Sequence, residues 1–349
     1  MSAAANGIEV AVETAAADWT RFVEAQADAT AYHEWAWRDV FTRAFGHEPL
    51  YLAARRGGRI AGVLPMVLLD SRLFGRALFS LPFLNYGGVL AEDDQTARAL
   101  VDAASAVAAD RKCKHVELRH TRRRFDALPC KQHKVSMLLP LVEPEKLWNG
   151  LDRKVRNQVR KAEKSELTCV SGNPGDAALL DEFYSVFARN MRDLGTPVYG
   201  RNFFAEMLRT FPDRATIHIV RKAALPIAGG FTLRTRGTTE IPWASSVRDF
   251  NALCPNHLLY WTMIKSAAAG GCTTFDFGRS TPGEGTFKFK EQWGAQPLEL
   301  CWEYVMVNGG AMPDTSPKNP KFKLAISLWS RLPLPVANAL GPAIVRSIP

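Results

Sequence analysis

The densest run of side chains able to do chemistry spans residues 275–294, FDFGRSTPGEGTFKFKEQWG. A predicted strand ends in Asp276 and Gly278 and enters a glycine-rich loop, which lets the backbone approach a ligand closely. The segment after this loop presents Lys288 and Lys290. A carboxylate and two ammonium groups on either side of an open loop predict a ligand-binding or catalytic site.

Further ligand-binding candidates follow from shape and charge. Aromatic side chains suited to stacking on sugar rings or lining an acyl channel are Tyr199, Trp243, Tyr260 and Trp293, with core packing as the alternative for each. Cations suited to phosphates or carboxylates are Arg201, Arg279 and Lys288. Asn256 is predicted to cap a helix over Leu258–Ala269, and the first N–H groups of that helix are expected to suit a phosphate or polar group.

Composition limits the class of protein. The chain has 349 residues, of which 47% are hydrophobic and 23% charged, as in an ordinary globular protein long enough for two domains. The sequence contains no phosphate loop, no Rossmann glycine motif and no H-E-x-x-H motif, so nucleotide-hydrolase and metal chemistry have no support and no metal is expected. The six cysteines occur singly, which predicts free thiols rather than a disulfide framework or a zinc cluster.

Charge and hydropathy point to location and partners. No uninterrupted apolar run reaches the ~18 residues of a spanning helix, and the first residues lack a basic and then apolar leader, so we expect a cytoplasmic protein. The net charge of +9 predicts an anionic partner. Nucleic acid, a phosphorylated precursor and an anionic membrane surface all remain open.

The two halves of the chain repeat one order of elements. Residues 50–69 and 217–235 each predict a β-hairpin, and both contain Ile-Ala-Gly at the start of the second strand. After each hairpin we predict a strand, a helix and a strand, at 76–82, 94–111 and 114–119 in the first half and at 238–245, 256–269 and 273–277 in the second. This order predicts an α+β fold with antiparallel-rich sheets in two similar halves.

Two segments are strongly basic. The predicted helix 151–164 has Val155, Val159 and Ala162 on one face and cations around the rest, which is typical of an anion-binding helix or of a solvated surface. The tail 317–349 is basic, proline-rich and apolar without an acidic residue. It is suited to peripheral contact with an anionic membrane, or to packing along its own protein.

Six stretches carry a resemblance to a known family, and they read KVRNQVRKAEK, NMRDLGTPVYGRNFF, IPWASSVRDFN, PNHLLYW, FDFGRSTPGEGTFKFKEQWGA and LWSRLPLPVANALGPAIVRSIP. Through them, residues 20–349 resemble the FemAB-like acyltransferases with a tandem GNAT-type fold. The resemblance is strongest to the exosortase/PEP-CTERM-associated FemAB-like proteins of exopolysaccharide systems. It implies GNAT-like domains at 1–150 and 151–310, followed by the tail 311–349.

The resemblance also implies catalytic roles. The family transfers an acyl or aminoacyl group from an activated ester or thioester to an amine on a cell-envelope precursor. Phe289 and Lys290 match its F-K-x-x-F-G motif, with Trp293 in the second aromatic place. A fixed ammonium aimed at the tetrahedral oxyanion contributes roughly 3 kcal/mol, by analogy with a single oxyanion-hole donor. Lys290 is therefore the first catalytic candidate.

The attacking amine must lose a proton to a nearby base. Asp276 is the best-placed carboxylate in the sequence, and Glu240, His257 or a bound water are alternatives. In the family, the basic helix lies near the substrate cleft, which makes Arg156 and Arg160 expected contacts to a diphosphate-linked precursor.

The expected activity is N-acyl transfer to an amine on a saccharide or a nucleotide- or lipid-diphosphate-linked precursor, in exopolysaccharide or cell-envelope synthesis. Because the sequence shows no long helical-hairpin arm, acyl-CoA (acetyl or longer) is a simpler donor than aminoacyl-tRNA. The CoA loop Q/R-x-x-G-x-G/A is also missing, so CoA is expected from the fold rather than from a motif. The alternatives are a tRNA-dependent aminoacyltransferase acting on a peptidoglycan-type precursor, and a non-catalytic membrane-associated scaffold.

Overall fold

The computed structural model describes residues 3–5, 7–71, 74–172, 177–313 and 320–348. Its strands are β1 (Ala3–Ala5), β2 (Ile8–Val12), β3 (Glu48–Pro49), β4 (Leu52–Arg56), β5 (Arg59–Leu64), β6 (Val67–Ser71), β7 (Gly75–Phe79), β8 (Leu90–Ala91), β9 (His115–His120), β10 (Cys130–Lys131), β11 (Val135–Pro140), β12 (Leu167–Gly172), β13 (Ala215–Lys222), β14 (Leu225–Thr235), β15 (Thr238–Ser246), β16 (Thr274–Ser280), β17 (Gln296–Glu299) and β18 (Cys301–Met306).

The α-helices are α1 (Ala16–Ala25), α2 (Trp37–Val40), α3 (Asp94–Asp110), α4 (Pro144–Gly150), α5 (Arg153–Lys164), α6 (Ala177–Asp193), α7 (Arg201–Thr210), α8 (Pro255–Ala269), α9 (Gly285–Glu291), α10 (Pro320–Trp329) and α11 (Leu334–Val345). Short 3₁₀ turns at Ala31–His33, Arg248–Leu253 and Val307–Gly309 and a π turn at Phe41–Phe45 complete the assignment. Helices and strands alternate with hairpins, and the predicted α+β class is confirmed.

The chain forms two compact units. The first contains the described residues of 1–134, 299–315 and 346–349, and the second contains those of 135–298 and 316–345. These units and the predicted ranges 1–150 and 151–310 divide the chain at different places. The physical reason is strand pairing over long sequence distances, since β18 pairs with β9 in the first unit and β11 pairs with β16 in the second.

The first unit is built on two sheets, with strand orders β1-β2-β4-β5-β8 and β10-β18-β9-β7-β6-β3. Helix α3 begins where the Asp93 carboxylate accepts the Thr96 backbone N–H at 2.8 Å, a regular N-cap. Its buried residues Ala97, Leu100, Ala104 and Ala108 recur at helical spacing and join the core of this unit.

The second unit is one sheet in the order β12-β13-β14-β15-β16-β11-β17, with helices on both faces. Successive residues of β14 point to opposite faces, so Gly229 approaches Phe183 of α6 while Gly230 approaches Met263 of α8. Helices α6 and α7 therefore cover one face, and α5 and α8 cover the other. The predicted buried face of α5 (Val155, Val159 and Ala162) is confirmed and packs into the α8 side.

Strands β15 and β16 are parallel neighbours joined by the crossover helix α8. Their register runs over Thr238↔Thr274, Thr239↔Phe275 and Glu240↔Asp276, and it ends there. Beyond Asp276, β16 continues alongside β11 up to the pair Val135↔Ser280. The two parallel strands thus separate at a pair of carboxylates, and the separation leaves space at the end of the sheet.

Four of the predicted free cysteines are confirmed, and two are not. Cys113, Cys254 and Cys272 are buried free thiols and Cys169 is a half-buried one. Cys130 and Cys301 instead form a disulfide. The prediction was wrong for this pair because β10 and β18 are neighbouring strands whose cysteines are far apart in sequence, so isolated cysteines concealed a spatial pair.

A buried polar cluster holds the first unit together around Glu303. The His120 Nε2 accepts the Val89 backbone N–H at 3.0 Å, so the proton of the neutral ring lies on Nδ1, 2.6 Å from the Glu303 carboxylate. Burial is the largest cause that lowers the pKa of His120 below its usual value. Glu303 also accepts the backbone N–H of Phe125 at 2.7 Å.

The tail forms helices α10 and α11, and residues 314–319 of the predicted segment lie outside the described residues. Ala337, Gly341 and Val345 of α11 are buried, which confirms that part of the tail packs along its own protein. Across the described ranges, every helix falls short of the length and hydropathy needed to cross a bilayer.

We predict that Glu303→Ala destabilises the protein by about 3 kcal/mol, because it leaves buried N–H donors without an acceptor. Urea denaturation followed by circular dichroism measures the change. Glu299→Ala, at an exposed carboxylate, is the matched control and should unfold like the wild type. Equal denaturation midpoints for the two variants would contradict a structural role for Glu303.

Candidate functional site

The site is organised around a buried lysine. Lys290 lies on α9, and only 7% of it is exposed. Its Nζ donates to the carbonyl oxygens of Gly278 and Arg279, each at 2.9 Å, at the end of β16. An ammonium group has three donors, so one N–H of Lys290 is left for another acceptor. The other lysine predicted from this motif, Lys288, is exposed on the same helix.

Two buried carboxylates lie where β15 and β16 separate. Asp276 is fully buried, accepts the Ser136 hydroxyl at 2.5 Å and accepts the Gly278 backbone N–H at 2.7 Å. Glu240, its register partner on β15, is 4% exposed. A bulge between Ser136 and Leu138 on β11 shifts the register there, and the Ser136 hydroxyl reaches Asp276.

These groups set the protonation of Lys290. Burial lowers the pKa of Lys290 from 10.5 to about 8, with a smaller contribution from the Arg279 charge. The negative charges of Asp276 and Glu240 oppose this and favour the ammonium form. Lys290 therefore remains mostly protonated at neutral pH but titrates close to it, which suits a group that stabilises developing negative charge.

An aromatic wall stands beside α9. The Phe289 ring lies 5.1 Å from the Tyr260 ring and 5.3 Å from the His257 ring, both on α8. Tyr260 stacks on Phe277 of β16 at 5.3 Å, and Trp293 lies 6.0 Å from His257. The predicted residues Phe289, Tyr260 and Trp293 thus meet in one cluster, and burial raises the pKa of Tyr260 so that it stays neutral.

The basic helix α5 packs against α8 near this wall. Burial, followed by the Lys154 charge, lowers the pKa of His257 to about 4, which keeps the imidazole neutral at pH 7. The Cys254 thiol donates to Gln158 of α5 and joins the two helices. The Arg156 Nε is buried and has no hydrogen-bond partner among the described residues. Arg160 is exposed and lies over Trp148, 5.5 Å from its ring centre.

Two buried polar side chains of the 275–294 motif are candidate ligand contacts. Among the described residues, neither the Ser280 Oγ at the end of β16 nor the Trp293 Nε1 has a hydrogen-bond partner. Buried donors of this kind normally find an acceptor. Among the described residues, we therefore count these two side chains, with the third N–H of Lys290, as candidate donors to a ligand.

Three of the predicted binding residues belong to a different cluster. Trp243 packs edge-on against Phe203 and Phe204 at 5.1 and 5.4 Å, on the face covered by α6 and α7. Tyr199 lies in the same aromatic cluster, 6.4 Å from Trp243. Arg201 pairs with Asp181 at 2.5 Å. The structure therefore packs Trp243 and Tyr199 with core aromatics, and it pairs Arg201 with an exposed carboxylate.

The predicted cap at Asn256 is wrong. Helix α8 begins at Pro255, and Cys254, in a left-handed conformation, occupies the N-cap position. Proline at the first helical position has the φ that a helix needs, and the N-cap lies two residues before Asn256. The Asn256 side chain instead donates to the Ser246 hydroxyl at 3.0 Å.

Sequence reasoning missed Ser136 as a member of the site. Ser136 belongs to a strand that joins this sheet from before α5, and nothing in its local sequence signals this.

The first unit also contains a pair of parallel strands, but a different side chain lies at the end of this pair. Its parallel strands β7 and β9 pair at Leu78↔Val116 and Phe79↔Glu117, so Glu117 corresponds to Asp276. The Arg119 side chain is 2% exposed, donates to Glu117 at 2.7 Å and to the Leu84 carbonyl at 2.7 Å. This guanidinium fills the space where the strands separate and neutralises the carboxylate.

The comparisons with known proteins agree with this geometry. Residues 151–291 match the family model described as an acetyltransferase (GNAT) domain. The crystal structure of FemX has a TM-score of 0.64 and 14% sequence identity, covering 83% of this chain and 96% of that one. A tandem GNAT protein from the clavulanic acid biosynthesis pathway has a TM-score of 0.58 and 11% identity, covering 87% and 100%.

L-PGS from Bacillus licheniformis has a TM-score of 0.56 and 11% identity, covering 92% and 99% of the two chains. No curated protein sequence matches the chain. These structural likenesses show the fold: the two units form a tandem GNAT fold, as the sequence predicted. The expected FemAB-like relationship is supported at that level.

We predict a pH-dependent contribution of Lys290 to stability. Because its pKa is lower in the folded state than in the unfolded chain, burying its charge disfavours folding below pH 8. This penalty disappears as the pH rises from about 8 to 10.5.

Relative to Lys290→Met, the wild type should therefore gain stability over this window, by at most ~1.4 kcal/mol per pH unit. Urea denaturation of both proteins at several pH values measures the difference. Parallel stability curves for the two proteins would show that the pKa of Lys290 is not lowered.

Proposed function

We propose that the protein is an N-acyltransferase. It transfers an acyl group to an amine on a saccharide or lipid-linked saccharide precursor in exopolysaccharide or cell-envelope synthesis. The observation that carries the proposal is Lys290, buried and held by two main-chain carbonyls at the point where β15 and β16 separate. The GNAT domain match over 151–291, which contains Lys290, supports acyl transfer as the reaction class.

The chemistry follows from the groups at this point. The amine nitrogen of the acceptor attacks the carbonyl carbon of the thioester, and the carbonyl oxygen gains negative charge. The third N–H of Lys290 donates to this oxyanion. When the tetrahedral intermediate collapses, the carbon–sulfur bond breaks and the thiolate leaves. The proton of the amine passes to Asp276, directly or through a water, with Glu240 and neutral His257 as the neighbouring alternatives.

Acyl-CoA is the proposed donor. GNAT-type domains bind it as a rule, and the donors found on Lys290, Ser280 and Trp293 fit a thioester carbonyl and phosphate oxygens. The Phe289–Tyr260 wall offers an apolar surface for an acyl chain. In this proposal no metal takes part.

The acceptor is proposed to carry phosphate or diphosphate. Arg279 at the end of β16, Arg156 with its buried unpaired Nε, and exposed Lys288 supply the positive charge for it. We propose the same relationship to the exosortase/PEP-CTERM-associated proteins that the sequence motifs indicate. An aminoacyl-tRNA donor is the second candidate, favoured by the net charge of +9.

The test is acyl transfer from labelled acyl-CoA to a panel of amino-sugar acceptors. We predict that Lys290→Gln lowers kcat by about 10²–10³-fold, the cost of losing one oxyanion donor. The KM of the donor should change little, because the lost interaction forms in the transition state. Lys265→Gln, at an exposed lysine of α8, is the matched control with unchanged kcat.

Two results would count against this account. Equal turnover by Lys290→Gln and wild type would remove Lys290 from the mechanism. Transfer from charged tRNA but from no acyl-CoA would replace the proposed donor with the second candidate.

A further inference from the structure

The tail exposes large apolar side chains next to cations. On α10, Leu324 is 70% exposed and Leu328 is 57% exposed. They are four residues apart and therefore lie on one face of the helix. Lys323 precedes Leu324 in α10, and Arg331 lies in the turn after this helix. Both cations are exposed. Two of the most exposed leucines among the described residues thus lie beside basic side chains.

A second segment extends this apolar surface. The turn containing Leu194, which is 54% exposed, abuts α10, because a Cβ placed on Gly195 would lie 2.5 Å from Ile326. Gly195 has a φ of +71°, a conformation that favours glycine and permits this close approach. Arg192 donates to the Leu332 carbonyl at 3.0 Å and fixes the end of the α10 segment on the same region. The Leu194 turn is therefore packed against α10 at Ile326.

Helix α11 also exposes a pair of large apolar side chains. Ala337 and Gly341 are buried against the second unit, whereas Val336 and Leu340, again four residues apart, are 42% and 49% exposed. A Cβ on Gly341 would meet the Val198 backbone at 2.9 Å, so this helix is packed too closely to roll its apolar residues inward. The exposed residues Leu324, Leu328, Val336 and Leu340 therefore remain in water, whereas Ala337, Gly341 and Val345 of α11 are buried.

The positive charge of the tail indicates which kind of partner binds this surface. From 316 to 349 the sequence has five cations, Lys318, Lys321, Lys323, Arg331 and Arg346, and no acidic residue. Leucines flanked by lysine and arginine fit the boundary between acyl chains and anionic headgroups. A basic surface alone would suit a nucleic acid, but such a partner gives no reason to expose leucine pairs.

We propose that α10, with the adjoining Leu194 turn and the outer face of α11, is a docking surface for an anionic lipid bilayer. Leu324 and Leu328 enter the headgroup–acyl boundary, and Lys323 and Arg331 contact the headgroups. The attachment is peripheral, since it uses one face of short helices. This inference does not depend on the proposed acyl transfer.

The experiment is co-sedimentation of the full-length protein with vesicles. One set consists of phosphatidylcholine alone and the other of phosphatidylcholine mixed with phosphatidylglycerol. The wild type should bind the phosphatidylglycerol vesicles and release as salt rises. The double variant Leu324→Ser/Leu328→Ser should bind at least about tenfold more weakly, because two apolar side chains no longer leave water. Lys323→Gln/Arg331→Gln should weaken binding by about fivefold for each charge removed.

Leu225→Ser is the matched control. Leu225 is 53% exposed in the β13–β14 hairpin, outside the proposed surface, and its variant should bind like the wild type. Circular dichroism melts of each variant establish that it is folded before binding is compared. The proposal is overturned by a wild type that does not bind phosphatidylglycerol vesicles, by equal binding to neutral and anionic vesicles, or by equal binding of the tail-leucine and Leu225 variants. It is also overturned if the tail leucines instead hold two copies of the chain together in solution.

Discussion

The proposed activity of the second unit depends on one buried ammonium group. Lys290 is taken out of water and held by two carbonyl oxygens of β16, with Asp276 and Glu240 near enough to favour its charge. Burying a charge in this way is unfavourable unless nearby groups compensate it. The separation of β15 and β16 makes the arrangement possible, because it leaves the Gly278 and Arg279 carbonyls available to the lysine. The separation of the strands, the nearby charges and the proposed chemistry thus all involve Lys290.

The two units have the same fold but differ in the partners of the carboxylate at the end of their parallel strands. In the first unit, Arg119 fills the space beyond the parallel strands and pairs with Glu117. The cluster of His120 and Glu303 further ties that region to β18. In the second unit, the corresponding carboxylate, Asp276, is bonded to Ser136 and to backbone instead, and the nearby Ser280 and Trp293 keep donors unpaired. Buried polar atoms without a hydrogen-bond partner occur among the described residues of both units, for example on Tyr51 and His115 in the first and on Ser280 and Trp293 in the second. The contrast lies in how the carboxylate at the end of the parallel strands is bonded, and the proposal places catalysis in the second unit because Lys290 lies there.

Much of the fold and of the candidate site could be predicted from the sequence. The features that could not be predicted have one cause in common. Lys290 and Asp276 lie on consecutive elements of one motif, and the buried face of α5 follows from its apolar periodicity. Ser136, the Cys130–Cys301 pair and the limits of the two units depend on strands that pair across long stretches of chain. Local patterns carry no information about such partners. Trp243 illustrates a further limit, since an aromatic residue suited to a sugar is equally suited to the core where it packs.

The most direct measurement is a crystal structure of the protein with a non-hydrolysable acyl-CoA analogue. The account predicts the analogue in the second unit, with its carbonyl oxygen within hydrogen-bond distance of the Lys290 Nζ, where β15 and β16 separate. An analogue bound in the first unit, or one whose carbonyl lies away from Lys290 in the second, would contradict the proposed mechanism.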